Sequence, residues 1–228
     1  MKVAIDGPAG SGKSTVARAI AKRCGITMLD TGAMYRSVAL ACVERGIDLD
    51  DAEAVAQVAR EVKITFGTDE RGQTVQLGGR DVTSAIRTPE IDVAVSPVSA
   101  NPAVREAMVA QQRAIGEGLD VVAEGRDIGT VVFPDAEVKI FLTADPSARA
   151  LRRAVQRDGK DAATDPAATA DEDAVATILA DLMRRDAYDS NREASPLRPA
   201  DDAHHIDSSD KTVDEVVDII VSLMEEAR

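Results

Sequence analysis

The sequence predicts an α/β fold, a parallel sheet covered by helices on both faces. Three observations predict it. An apolar run, Val3-Ala4-Ile5, leads directly into a glycine-rich loop that opens a helical pattern. Short apolar strands then alternate with helical segments to the end of the chain, and parallel strands need such crossover helices. Finally, 228 residues with 44% hydrophobic content suffice for one large domain with a buried core, and no internal repeat or interdomain linker divides them.

The elements follow in chain order. Lys2–Asp6 is a buried strand, and Lys13–Arg23 is the helix after it. Ile26–Asp30 is a second short strand, ending in Asp30-Thr31-Gly32. Ala33–Arg45 is a helix stopped by Gly46. Asp51–Glu61 is another, with Ala52, Val55, Val58, Ala59 and Val62 on one face. The pattern then changes to short β-like runs, Lys63–Gly67, Gln73–Leu77 and Arg80–Thr83, separated by Asp69-Glu70-Arg71-Gly72 and Gly78-Gly79. This predicts a small antiparallel insert built of hairpins. Ile91–Ile115 is mainly helical, broken by Pro97 and Pro102. Asp120–Ala123 and Glu137–Leu142 are strands, and Pro146–Gln156 is a helix. Asp158–Asp173, rich in Ala, Asp and Thr without periodicity, reads as a mobile loop. Glu172–Asp186 resumes a helix, and His204–Asp207 is a last short strand. Thr212-Val213-Asp214-Glu215 matches a capping box. The terminal helix it opens repeats apolar residues at Val213, Val216, Val217, Ile220, Val221 and Met224.

The loop between the first strand and helix carries the chemistry. Gly7-Pro8-Ala9-Gly10-Ser11-Gly12-Lys13-Ser14-Thr15 fits G-x-x-x-x-G-K-[ST] in full. Its glycines let consecutive backbone N–H groups turn inward as an anion nest. The helix N-terminus behind the loop adds a positive dipole end. Lys13 can reach β- and γ-phosphates, and the Ser14 hydroxyl can ligate Mg²⁺. Strand, loop and helix in this order predict a chain that handles a nucleoside triphosphate.

Composition narrows the rest. A net charge of −13 argues against a nucleic-acid groove or an anionic membrane surface, since both need basic fields. Aromatics are 2% and Trp is absent, so base stacking is not the main binding device. Arginines nevertheless gather late in the chain, at Arg126, Arg149, Arg152, Arg153, Arg157, Arg184, Arg185, Arg192 and Arg198. Compositional bias and a phosphate-binding cluster both account for them, and Arg's bidentate fork suits the second. Cys24 and Cys42 lack metal spacing and read as reduced packing residues. No apolar run approaches the ~18 residues that span a bilayer. With the first strand starting at Lys2, no signal peptide is expected, and the location predicted is cytoplasmic.

The loop alone does not choose between GTPase, motor and small-molecule kinase. No Asn-Lys-x-Asp segment for reading guanine exists, which disfavours a GTPase. For a motor's acidic strand end, only Thr143-Ala144-Asp145 offers a candidate. A small-molecule kinase needs a second anion site and a cover that excludes water. Asp30-Thr31-Gly32-Ala33-Met34-Tyr35-Arg36 and Glu124-Gly125-Arg126-Asp127 supply charged groups at strand ends, where ligands gather in open α/β sheets. The arginines flanking the Asp/Ala loop would suit a closing lid.

Taken together, the segments Gly7–Thr15, Leu29–Arg36, Ser96–Arg105, Glu124–Pro134 and Arg185–Pro199 resemble those of the bacterial cytidylate kinases, within the nucleoside monophosphate kinases. The resemblance runs from Lys2 to the terminal helix. It implies a parallel five-stranded core at 1–30, 118–148 and 200–228 within one domain of residues 1–228. It also implies a moving monophosphate-binding region at 31–117, into which the hairpin insert fits, and a lid near 149–187. The activity implied is ATP-dependent phosphorylation of CMP and dCMP with Mg²⁺, by a chain expected to be a monomer.

Residue roles come from the same resemblance. Gly7, Pro8, Ala9, Gly10, Ser11, Gly12, Lys13, Ser14 and Thr15 are implied to cradle ATP, with Ser14 on the metal. Among the lid arginines, Arg153 and Arg157 are assigned to ATP. Thr31, Tyr35 and Arg36 belong to the monophosphate site, with Arg36 on the CMP phosphate. Ser96, Arg105 and Asp127 face the cytosine, and Arg126 grips the acceptor phosphate. Asp189 and Arg192 line the ribose and phosphate, supported by Arg185 and Asp186. Lys13, Arg126, Arg185 and Arg192 are the implied catalytic group. The chemistry of the base agrees: a carboxylate can take cytosine's N4 amino group while an arginine supplies its acceptors. Uracil would meet the same pair with its polarity reversed.

Overall fold

The computed structural model describes residues 1–70, 72–157 and 170–228, apart from the side chains of Gln156 and Arg157. In chain order the elements are β1 (Lys2–Asp6), α1 (Lys13–Cys24), β2 (Thr27–Asp30), α2 (Thr31–Glu44), α3 (Ala52–Glu61), β3 (Ile64–Asp69), β4 (Gly72–Leu77), β5 (Arg80–Asp81), α4 (Pro89–Ala100), α5 (Pro102–Gly116), β6 (Val121–Gly125), β7 (Val138–Thr143), α6 (Pro146–Arg157), α7 (Glu172–Asn191), β8 (His204–Asp207) and α8 (Val213–Glu226). A 3₁₀ turn covers Ala85–Arg87, and a π-helical turn covers Ile128–Val132. The chain forms two compact units, Met1–Leu29 with Gly116–Arg228, and Asp30–Ile115.

The first unit is the expected α/β core. Its sheet has five strands in the order β2-β6-β1-β7-β8. β1 runs parallel to both β6 and β7, and β7 parallel to β8. The central strand has the most apolar surface to hide, and Val3, Ala4 and Ile5 are fully buried. Val16, Ala17 and Ile20 of α1 and Val216, Val217, Ile220 and Met224 of α8 join one core with the strands. The Thr212 capping box opens α8 as its sequence predicts, with both reciprocal bonds present. Register places the chemistry: Asp6 pairs with Gly125 and with Phe141. The chain therefore leaves β1 into the glycine loop, and β6 into Arg126-Asp127, at the same edge of the sheet.

The second unit holds the predicted hairpin insert, an antiparallel sheet in the order β3-β4-β5. α4 packs on α2. Two departures from the sequence reading have a clear physical cause. α2 starts at Thr31, two residues early, because the Asp30 carboxylate caps it by accepting from the Ala33 N–H at 2.9 Å. Pro97 does not break its helix: α4 runs through it, with Ile91, Ala94, Val95 and Val98 buried. Burial of that stripe outweighs the one backbone bond that proline removes. Pro102, by contrast, sits at the first position of α5, where no N–H is needed. In the first unit, α7 reaches Asn191, five residues beyond the reading. The loop expected at Asp158–Asp173 lies mostly outside the described residues; within it, Asp171 caps α7 by accepting from Ala174 N–H at 3.0 Å.

Candidate active site

β1 delivers the chain into the glycine loop at Gly7, where only glycine fits. A Cβ there would stand 2.0 Å from the Leu142 carbonyl oxygen of β7, and φ is +150°. At the other end Gly12 adopts φ 93° and starts α1 without a side-chain cap, leaving the first N–H groups of the helix facing the loop. Ser14 and Thr15 in the first turn are half-buried. The Ser11 hydroxyl is buried with no hydrogen-bond partner among the described residues. The Lys13 ammonium is buried and donates to the Pro8 carbonyl at 2.7 Å. Burial, and then the Arg126 guanidinium, push its pKa down to about 7 against the pull of Glu124 and Asp6.

Asp6 stands at the end of β1, immediately before the loop. Its two oxygens accept from the N–H groups of Ile128 and Gly129, each at 2.8 Å. Desolvation nevertheless lifts its pKa to about 6. These two donors open the π-helical turn, whose N–H groups at Val131 and Val132 both reach back to the Asp127 carbonyl. Asp127 itself is buried.

Behind the loop, three guanidinium groups gather round one carboxylate. Asp189 on α7 lies 3.0 Å from Arg126 Nε, 3.8 Å from Arg192 Nη1 and 4.0 Å from Arg185 Nε. Asp189 is buried, and Arg192 Nε also donates to the Ser195 carbonyl at 2.6 Å. Ser195 holds a left-handed φ of 52°. The charge of Arg126 and of Arg185 reaches Lys13, so phosphate loop and arginine cluster share one electrostatic field. That field suits polyanionic phosphates. The arginines of α6 divide. Arg149 donates to the Ala9 carbonyl and to Asp186. Arg152 donates to the Ser208 hydroxyl at 3.1 Å and to its carbonyl at 2.6 Å. Arg153 is half-buried on α6, and the Arg157 side chain lies outside the described residues.

In the second unit, Arg105 of α5 stacks over the Tyr35 ring of α2 at 5.2 Å. Arg105 also donates to the Ser99 carbonyl at 3.0 Å, and Arg105 and Tyr35 are both buried. Ser96 is half-buried one turn before Ser99 on α4. Arg36 donates to the Ile86 carbonyl at 3.0 Å and pairs with Asp92. Thr31 is buried at the first residue of α2.

Sequence reasoning passes over Asp6, gives Glu124 no role, and names Asp186 only as support for Asp189 and Arg192. Glu124 is buried where its charge supports Lys13. Asp6 and Asp186 brace the two loops. A signal for the first two exists in the sequence: each is a carboxylate ending an otherwise apolar strand, which only a partner explains. Asp186 carries no such signal on an ordinary polar helix face.

A family model for cytidylate kinase matches residues 3–226. The chain belongs to the cytidylate kinase family. It is 45% identical over 228 residues to a cytidylate kinase of Streptomyces avermitilis, covering 99% of this chain and 93% of that one. It is 48% identical over 219 residues to the cytidylate kinase of Nocardia farcinica, covering 95% and 90%. Among solved structures, an uncharacterised protein from Eubacterium ventriosum matches with a TM-score of 0.51 at 12% identity, covering 99% and 98%, which bears on the fold alone. Family and fold thus agree with the expectation drawn from the motifs. No described helix is long and apolar enough to cross a membrane.

Proposed function

We propose that the chain transfers the γ-phosphoryl group of ATP to CMP and dCMP. The single observation that carries this reading is the phosphate loop with Lys13 buried in the field of Arg126 and Arg185, themselves gathered at Asp189 with Arg192. Two phosphate-bearing substrates need such a concentration of positive charge at one sheet edge. A phosphate oxygen of CMP, ionised at neutral pH, attacks the γ-phosphorus in line. The bond to the β–γ bridging oxygen breaks, giving CDP and ADP, and no general base is required. Lys13, Arg126, Arg185 and Arg192 stabilise the charge that spreads over the transferred group. Arg153 and Arg157 are assigned to ATP.

The donor set at the loop fits Mg²⁺ bound to nucleotide. It offers the Ser14 hydroxyl, while no cluster of three or more His, Cys, Asp or Glu exists among the described residues to form a protein cage. Held by Ser14 and the nucleotide's own oxygens, the ion would neutralise phosphate charge. For the acceptor, Thr31, Tyr35 and Arg36 serve the monophosphate, and Ser96, Arg105 and Asp127 read cytosine. The buried states of Arg105 and Asp127 support this, since a desolvated charge discriminates strongly against the wrong hydrogen-bond polarity. ADP release from Mg·ATP, measured with CMP, dCMP, UMP and AMP offered in turn, tests the reading. CMP and dCMP should turn over fastest; faster turnover with AMP would refute it.

A further inference from the structure

Asp186 on α7 and Arg149 on α6 converge on one residue of the phosphate loop. The Ala9 N–H donates to Asp186 Oδ1 at 3.3 Å, and the Ala9 carbonyl accepts from Arg149 Nη1 at 3.0 Å. Arg149 Nη1 also donates to Asp186 Oδ2, closing a ring of contacts. Arg149 Nε donates to the Ala144 carbonyl at 3.1 Å, just past β7, which fixes the guanidinium plane. Arg149 is buried. A second, apolar contact is independent of these bonds: Ala9 packs on the seam of α6 and α7 formed by Ala150, Ala154, Ile178 and Leu182. The loop lies so close that a Cβ on Gly10 would stand 3.2 Å from the Arg149 Cβ.

The bonds have a directional consequence. The described peptide bonds are all trans, so the C=O and N–H of each peptide point opposite ways. In the Pro8–Ala9 peptide the carbonyl accepts from Lys13 while the N–H faces Asp186. In the Ala9–Gly10 peptide the carbonyl faces Arg149, so the Gly10 N–H points away from α6. Gly10 sits at φ 77°, and a glycine there allows the peptide before it to turn over at little cost. The loop sequence leaves that orientation open, and Arg149 decides it.

We propose that Arg149 and Asp186 are positioning residues for the phosphate loop. The pair orients the two peptides flanking Ala9, aims the Gly10 N–H into the anion nest, and ties the stems of α6 and α7 to the ATP phosphates. Arg149 acts on the loop backbone rather than on ATP. The inference rests on the reading that this loop takes ATP.

Mg·ATP affinity by titration calorimetry, steady-state kinetics for both substrates, and thermal melting test it on the full chain. Arg149→Met keeps the apolar stem and removes the bonds. It should weaken ATP binding at least 10-fold and raise the KM for ATP, with the KM for CMP within twofold of wild type. Asp186→Asn should weaken ATP binding in the same direction by a smaller factor. The double variant should be about as impaired as Arg149→Met alone, because both act through one bracket. Arg149→Lys, which can still reach one acceptor, should recover part of the ATP affinity. Wild-type ATP affinity in Arg149→Met, whatever its melting temperature, overturns the proposal. Equal losses for ATP and CMP accompanied by a fallen melting temperature overturn it too, and leave the pair a structural role. If Arg149→Met does not fold, Arg149→Lys and Asp186→Asn decide by the same criteria. A wild-type chain that binds no Mg·ATP overturns the functional reading itself and the proposal with it, so the two failures are distinguishable.

Discussion

Replacing Asp6 by Asn should remove a definite slope from the pH dependence of stability. Asp6 is 4% exposed, and burial moves its pKa from the ordinary 3.8 to about 6 despite two backbone donors. The shift is upward, so the contribution to stability is fully present below pH 4, where both folded and unfolded chains hold the proton. Between about pH 4 and 6 the unfolded chain releases it and the folded chain keeps it. At 1.36 kcal/mol per pH unit, the stability lost by the time pH passes 6 is about 3 kcal/mol. Asp6→Asn does not titrate. Its amide presents one acceptor where two N–H groups now bond, a penalty of about 1–3 kcal/mol at every pH. The free-energy difference between variant and wild type should therefore drift by about 3 kcal/mol in the variant's favour from pH 4 to pH 7, around that constant offset. Urea unfolding of both chains at half-unit steps measures it, and titrations common to both cancel. A difference that stays flat within about 0.5 kcal/mol would show that Asp6 does not titrate in this range, and the desolvation argument would fall.

Three further outcomes follow from named contacts. Lys13→Met should lower kcat about 100- to 1,000-fold while far-UV circular dichroism stays native, because Lys13 acts on transition-state charge; near-normal kcat would place it away from the reacting phosphates. Asp127→Asn should lower kcat/KM for CMP by one to two decades, from a base-edge contact of about 1–3 kcal/mol, and that for UMP much less, since the amide can donate to O4; equal losses for both substrates would take Asp127 out of base readout. Gly7→Ala should abolish soluble folded protein or drop its melting temperature steeply, because its Cβ would overlap the Leu142 carbonyl at 2.0 Å; an unchanged melt would mean that β1 and β7 separate easily there.

The sequence by itself determined the fold class, the order of elements and the phosphate loop, because these depend on local patterns. Val3-Ala4-Ile5 must be buried, Gly7–Thr15 can do little but cradle an anion, and Thr212 with Glu215 caps α8 through bonds three residues apart. The family resemblance also implied a catalytic group of Lys13, Arg126, Arg185 and Arg192 and set Asp189 with Arg192 along the ribose and phosphate, but it did not gather the three arginines around Asp189. Local patterns misjudged Pro97, because the burial of one face of α4 is a tertiary quantity. Only the tertiary structure decided which charges meet. Asp6 finds its donors 122 and 123 residues away, Arg126 finds Asp189 63 residues away, and Ala9 finds Asp186 177 residues away. No periodicity encodes such pairs. They form because parallel strands bring distant loops to one sheet edge, where a buried charge must have a partner or lose its charge.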